Sequence, residues 1–225
     1  MCGRFTLFEP DAVLTREFGL SRIQAGPPRY NIAPSQPVAV VRVSPADRER
    51  ELLRLRWGLI PSWAKDPSIG NRMINARAET ASEKPSFRSA FRNRRCLVPA
   101  DGFFEWRKVD RGKLPFYIRM RSGHPFAFAG LWERWDPPEG DPVETCTILT
   151  TEANELLRPI HDRMPVIVAP EMYGAWLDSG RKDPETLKPI LRPWPPEEMD
   201  AYPVSKRVND PSHDDPDCLT AEEAR

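Results

Sequence analysis

Apolar residues along this chain either alternate with polar ones or gather in short β-branched and aromatic runs, the period-two signature of strands with one buried face. The pattern marks strands at 3–7, 37–43, 51–59, 95–98, 102–108, 115–121, 126–135, 145–150 and 164–168. Helical spacing is rarer. It is read at 10–18, which Pro10 opens, at 86–91, at 152–157, at 170–177 with Gly180 beyond it, and in a short stretch at 183–191. Strands follow one another in runs and helices interrupt them without regular β-α-β alternation. The pattern therefore predicts an α+β fold, a single domain dominated by curved, mostly antiparallel β-sheet with a barrel-like core and a few short helices. No repeat of fixed period is present. The domain is expected to span 1–208, with a Pro-rich surface wrap at 192–198 and an acidic, mobile tail over 209–225, which has little apolar content.

Composition narrows the class. The chain has 225 residues, 40% hydrophobic and 29% charged, with Pro 26 against Gly 12. It is long enough to bury a core, and its elements are cut short by rigid turns. No apolar run approaches the roughly 18 residues of a membrane span, and the start has neither a basic leader nor a long apolar stretch. The expectation is a soluble protein without membrane partners, cytoplasmic in a bacterium or nuclear in a eukaryote. A formal net charge of +0 excludes a uniformly basic nucleic-acid protein. The total hides an asymmetry, because residues 1–135 carry +11 and residues 136–225 carry −11. The cations of the first part are mostly Arg: Arg54, Arg56, Arg72, Arg77, Arg88, Arg92, Arg94 and Arg95, interleaved with Trp57, Trp63, Phe87 and Phe91. Arg beside aromatics suits phosphate forks and base stacking, and a solvated surface explains the same charges equally well.

Cys2, Cys96, Cys146 and Cys218 form no C-x-x-C pair, and His124, His161 and His213 add no ligand spacing, so neither a metal site nor a disulfide framework is expected. Cys96 and Cys146 lie in apolar runs and read as small core residues, and Cys218 belongs to the acidic tail. Cys2 differs by position. Removal of Met1 before a small residue would make it the terminal residue, pairing a thiol with an α-amine whose pKa near 8 leaves a neutral fraction at pH 7. Such an aminothiol condenses with an aldehyde to an imine and closes to a thiazolidine. A thiol nucleophile assisted by a base, or simply the start of a buried strand, are the other readings of Cys2. The aminothiol reading requires Cys2 to be reachable.

Other residues could serve that chemistry. His161 sits in the Pro-bracketed segment Pro159-Ile160-His161-Asp162-Arg163-Met164-Pro165, where a rigid backbone could present a general acid or base. Alternation places Glu105 on the face of Phe103, opposite Phe104 and Trp106, and a carboxylate on an apolar face needs a partner. In Asn71-Arg72-Met73-Ile74-Asn75-Ala76-Arg77-Ala78-Glu79-Thr80, Asn75 could bind a sugar or cap a helix, and Arg77 could fork a phosphate. Trp63 is either an exposed stacking group or core.

Taken in order, MCGRFTLF, WGLIPSWA, INARAET, RCLVPADGFFEW, ILTTEAN and PIHDRMPVIV resemble the SRAP family, the SOS-response-associated peptidases that shield abasic sites in single-stranded DNA. The likeness runs from Cys2 to about Val168. It implies an α+β domain with a basic channel for single-stranded DNA and an N-terminal Cys that forms a thiazolidine crosslink with the ring-opened abasic sugar. Position by position it makes Cys2 the crosslinking residue, Asn75 a contact to the sugar, and Glu105 and His161 the pair assisting ring opening, imine formation and reversal. Arg4, Arg77 and Arg163 fall on DNA-backbone positions, and Trp63 on one that limits duplex entry. The partner implied is single-stranded DNA bearing abasic sites, with single/double-strand junctions as a variant, bound by a monomer that uses no cofactor and, in a bacterium, joins the nucleoid when on DNA. The family name implies an autopeptidase step exposing Cys2, and with Met1 alone before Cys2 that step is expected to be dispensable. Two rivals use the same residues: a thiol peptidase with His161 as base, and a non-catalytic single-strand binding module.

Overall fold

The computed structural model describes residues 2–24 and 26–222. In chain order its strands are β1 (Phe5–Leu7), β2 (Arg22–Ile23), β3 (Arg29–Ile32), β4 (Pro37–Val43), β5 (Arg50–Trp57), β6 (Asn75–Arg77), β7 (Arg95–Ala100) and β8 (Gly102–Lys108). They continue as β9 (Lys113–Met120), β10 (Phe126–Trp135), β11 (Val143–Glu152), β12 (Arg163–Pro165), β13 (Ile167–Val168) and β14 (Met199–Pro203). The α-helices are short: α1 (Asp11–Phe18), α2 (Ala78–Ala81), α3 (Arg88–Asn93) and α4 (Tyr173–Leu177). Among the described residues no helix is long and apolar enough to cross a membrane.

Two sheets share one core. In the larger sheet β4 pairs with β5 and β7, β7 with β10, β10 with β11, and β11 with β5 in parallel. That circuit closes, so the sheet forms a small barrel without free edges along those strands. β6 and β12 both add to β11, and β2 and β13 add elsewhere. The smaller sheet runs β14-β9-β8-β1-β3. β1 carries Phe5 into the barrel core, where its ring centroid lies 5.2 Å from that of Trp57 and 5.8 Å from that of Phe128. Phe103 packs in the same cluster, whereas Phe104 and Trp106 face a second cluster with Tyr117, Val204, Val208 and Cys218. The alternation expected of the Phe103–Trp106 stretch is realised. Each buried aromatic contributes roughly 1.5–3 kcal/mol through area removed from water, which makes β1 the seam between the sheets.

Most strands lie within two residues of their expected bounds. Three departures have physical causes. The helix expected at 152–157 is instead the end of β11 followed by turns, because Asn154 Oδ1 accepts from Leu157 N and diverts the backbone from a helical ladder. The short helix expected at 183–191 is present over Pro184–Leu191 but is wound as a 3-10 helix, with Pro189 inside it unable to join an α-helical ladder. The described part of the tail, 209–222, is not free, and the expectation for 223–225 lies outside the described residues. Asp214 Oδ1 accepts from the backbone N–H of Tyr30 and Asn31, Asn31 Nδ2 donates to the carbonyls of Val208, Asp210 and His213, and Cys218 is fully buried. The acidic residues that suggested mobility satisfy the edge of β3 and cap turns of the segment itself. Cys96 and Cys146 are buried core thiols, as expected of small apolar residues.

Candidate functional site

Four strands bring the candidate residues together. Cys2 leads into β1, Glu105 lies on β8, Asn75 opens β6, and His161 precedes β12. β1 and β8 meet with Phe5 opposite Phe103, and Phe104 N donates to Arg4 O at 2.9 Å, which sets Glu105 beside the chain start. β6 reaches the same place by parallel pairing with β11, Asn75 opposite Ile148. The approach that allows it is made by two glycines. A Cβ on Gly58 (φ +133) would meet Gly70 O at 2.6 Å, so only glycine lets the 58–73 excursion fold back against the end of β5 and deliver Asn75.

Asn75 Nδ2 donates to Cys2 O at 2.7 Å, while Asn75 Oδ1 is buried and lacks a hydrogen-bond partner among the described residues. A buried acceptor left so is costly. Glu105 is 2% exposed. Burial raises its pKa, and the nearby charges, His161 among them, pull the other way. His161 N donates to Leu157 O at 2.9 Å, and its Nδ1 accepts from Arg163 N at 3.0 Å with Asp162 Oδ1 2.9 Å away.

Cys2 corrects the expectation of a reachable residue. It is 0% exposed and belongs to the main core cluster, because β1 is drawn between the two sheets. Burial pushes its thiol far above the ordinary range, the charge of Glu105 adds to this, and the backbone N–H of Arg4 opposes it. The thiol is therefore protonated in the chain with residue 1 attached. It is walled by core on one side and by Asn75 and Glu105 on the other.

The expected DNA-contacting residues are placed differently from one another. Trp63 is 57% exposed, with its Nε1 3.5 Å from Pro85 O. Arg77 is exposed at the end of β6. Arg4 is an internal strut: its Nη1 donates to Asn31 Oδ1 at 2.7 Å and to Val208 O at 2.6 Å, and it lies over Trp106. Arg163 is clasped by Glu79, with Nη1 donating to Oε1 at 2.6 Å and Nη2 to Oε2 at 2.9 Å. Glu79 was not singled out by sequence. The available signal was a carboxylate two residues from Arg77 in a half of the chain where cations predominate. No group of three or more His, Cys, Asp or Glu among the described residues is arranged to hold a metal ion.

The family described as SOS response associated peptidase (SRAP) matches residues 1–211. Abasic site processing protein YoqW of Bacillus subtilis is 48% identical over 223 residues, covering 97% of this chain and 99% of that protein. Abasic site processing protein HMCES of Gallus gallus is 35% identical over 222 residues, covering 85% of this chain and 66% of that protein. Among solved structures, a protein from Bacteroides thetaiotaomicron superposes with a TM-score of 0.87 at 28% identity, over 98% of this chain and all of that one. With its motifs on the strands that meet around Cys2 and a family match spanning nearly the whole chain, the protein belongs to the SOS response associated peptidase (SRAP) family.

Proposed function

We propose that this protein processes abasic sites in DNA and that, with Met1 removed and the start of the chain opened to bring the enclosed Cys2 within reach, Cys2 captures the ring-opened sugar as a thiazolidine. The relatives named for abasic-site processing support the first statement. The observation that carries the second is the arrangement around the chain start, where Asn75 holds the backbone of Cys2, the charge of Glu105 acts on its thiol and His161 acts in turn on Glu105. An abasic sugar is mainly a closed hemiacetal. Opening it needs a proton delivered to the ring oxygen and one taken from the hydroxyl, and a carboxyl group and an imidazole side by side serve as the two partners. Burial keeps a protonated fraction of Glu105 at higher pH than an exposed carboxylate would, which suits it to donate. Asn75 Oδ1 accepts a sugar hydroxyl. The terminal amine then attacks the aldehyde carbon, water leaves to give the imine, and the thiol adds across C=N, its proton passing to the nitrogen. Arg77 and Arg163 hold flanking phosphates and Trp63 stacks on a base.

The buried, protonated state of Cys2 weighs against a thiol peptidase, which needs a thiolate at pH 7. A plain binding module has no use for a buried carboxylate beside an imidazole. It also means that loss of residue 1 is required, since only this turns an enclosed amide into an amine. The test is incubation of the purified chain, its mass checked for removal of Met1, with single-stranded DNA carrying one abasic site. A heat-stable adduct is expected, absent in Cys2→Ala and slowed about 100-fold or more in Glu105→Gln and His161→Ala. An adduct of equal stability from Cys2→Ala, or from a chain retaining Met1, overturns the proposal.

A further inference from the structure

We propose that Glu79 is a built-in anion occupying a phosphate seat formed by Arg77 and Arg163, so that single-stranded DNA engages these residues only by displacing it. This rests on reading both arginines as phosphate contacts. The geometry is that of an occupied seat. Arg77 ends β6, Arg163 opens β12, and both strands flank Thr150 of β11, which lies opposite Arg77 on one side and Pro165 on the other. Glu79, in the first turn of α2, follows Arg77 by two residues and pairs with Arg163. Its two oxygens take both terminal nitrogens of Arg163 in the side-by-side geometry that a phosphate's paired oxygens would adopt. Arg77 acts on the same carboxylate through space.

Burial orders the two partners. The Arg163 side chain is 15% exposed and that of Glu79 51%, so the carboxylate lies on the solvent side and an incoming anion meets it first. The other donors of Arg163 face inward: Nη2 also donates to Thr150 O, and Nε is buried without a hydrogen-bond partner among the described residues. The edge facing Glu79 is thus the one through which Arg163 can bind an outside group. Exchange costs little for Glu79, which is already half in water. A phosphate must give more than the carboxylate it replaces, so undamaged strands gain little here, while a strand held through its aldehyde at Cys2 can complete the exchange.

The test uses the full chain and a fluorescent undamaged oligothymidylate, with affinity measured by anisotropy over a salt series. Glu79→Gln keeps the shape and removes the charge. Its affinity is expected to rise about two- to fivefold, the size of an exposed ion pair. Its salt dependence is expected to steepen by about 0.7 in log–log slope, one further phosphate neutralised. Adding Arg163→Gln to that variant is expected to abolish the gain. Should Glu79→Gln fail to fold, Glu79→Ser carries the same expectation. Unchanged or weaker binding by a folded Glu79 variant, with the parent chain binding normally, overturns the inference and leaves Glu79 as a brace for Arg163. If neither parent nor variant binds, the DNA reading falls and takes this one with it.

Discussion

Asp101, in the turn between β7 and β8, shows how far a single environment can move a side chain. Burial raises its pKa from 3.8 to about 7, the charge of Glu9 adds, and the backbone N–H groups of Phe8 and Glu9 oppose the rise. Its Oδ2 accepts from Phe8 N, fastening the exit of β1 to β8, while Oδ1 is buried without a hydrogen-bond partner among the described residues. A carboxyl whose folded pKa lies above its unfolded value binds its proton more tightly in the native state. The stability this contributes is complete below the unfolded pKa and is lost as pH rises through about 7. At about 1.4 kcal/mol per pKa unit the upper bound is roughly 4 kcal/mol. Asp101→Asn, which still accepts from Phe8, is expected to flatten the fall in stability between about pH 4 and 7, measured by denaturant unfolding at a series of pH values. An unaltered pH slope in the variant would remove Asp101 from this role. Because Cys2 leads into β1, the same hydrogen bond fixes the far end of the strand that follows it.

At the scale of elements, short pieces of chain do the positioning. β6 is three residues, too short to announce itself as a strand, and the strand expected at 164–168 is split into β12 of three residues and β13 of two. β6 and β12 exist because β11 offers each a ladder, and together they set Asn75, Arg77 and Arg163 on one side of the barrel. The C-terminal segment works in the same way on the smaller sheet. Asp214 closes the outer edge of β3, and Asn31 collects three carbonyls from residues 208–213 while holding Arg4. A chain ending at 209 loses the Asp214 contacts and the buried Cys218. It is expected to be less stable by about 2 kcal/mol or more, from the lost charge-assisted hydrogen bonds and the exposed apolar surface over Phe104 and Tyr117. A urea midpoint equal to that of the full chain would show that the segment merely lies on the surface.

Across the whole molecule, charge and topology meet. The +11 of residues 1–135 supplies Arg77, and the fold brings Arg163 to it from the acidic part of the chain. Affinity for single-stranded DNA is expected to fall with added salt, by about 0.7 in log–log slope for each phosphate contacted. A salt-independent affinity would mean that the phosphate contacts assigned to these arginines are wrong. The barrel strands, the cores at Cys96 and Cys146, the two faces of β8 and the motifs carrying Cys2, Asn75, Glu105 and His161 were legible in the residues themselves. Alternation and local composition are properties of contiguous chain, and motifs keep their order. What could not be read there is decided by groups distant in sequence. Cys2 is enclosed because two sheets close over β1, Arg163 is clasped because β6 and β12 share β11, and the acidic tail is docked because β3 has an edge to satisfy. Sequence alone marked which residues carry candidate reactive groups and, for Glu105, the strand on which it lies. Only the tertiary structure decided which are covered and which are already paired, since burial and pairing depend on neighbours that the chain brings together only when folded.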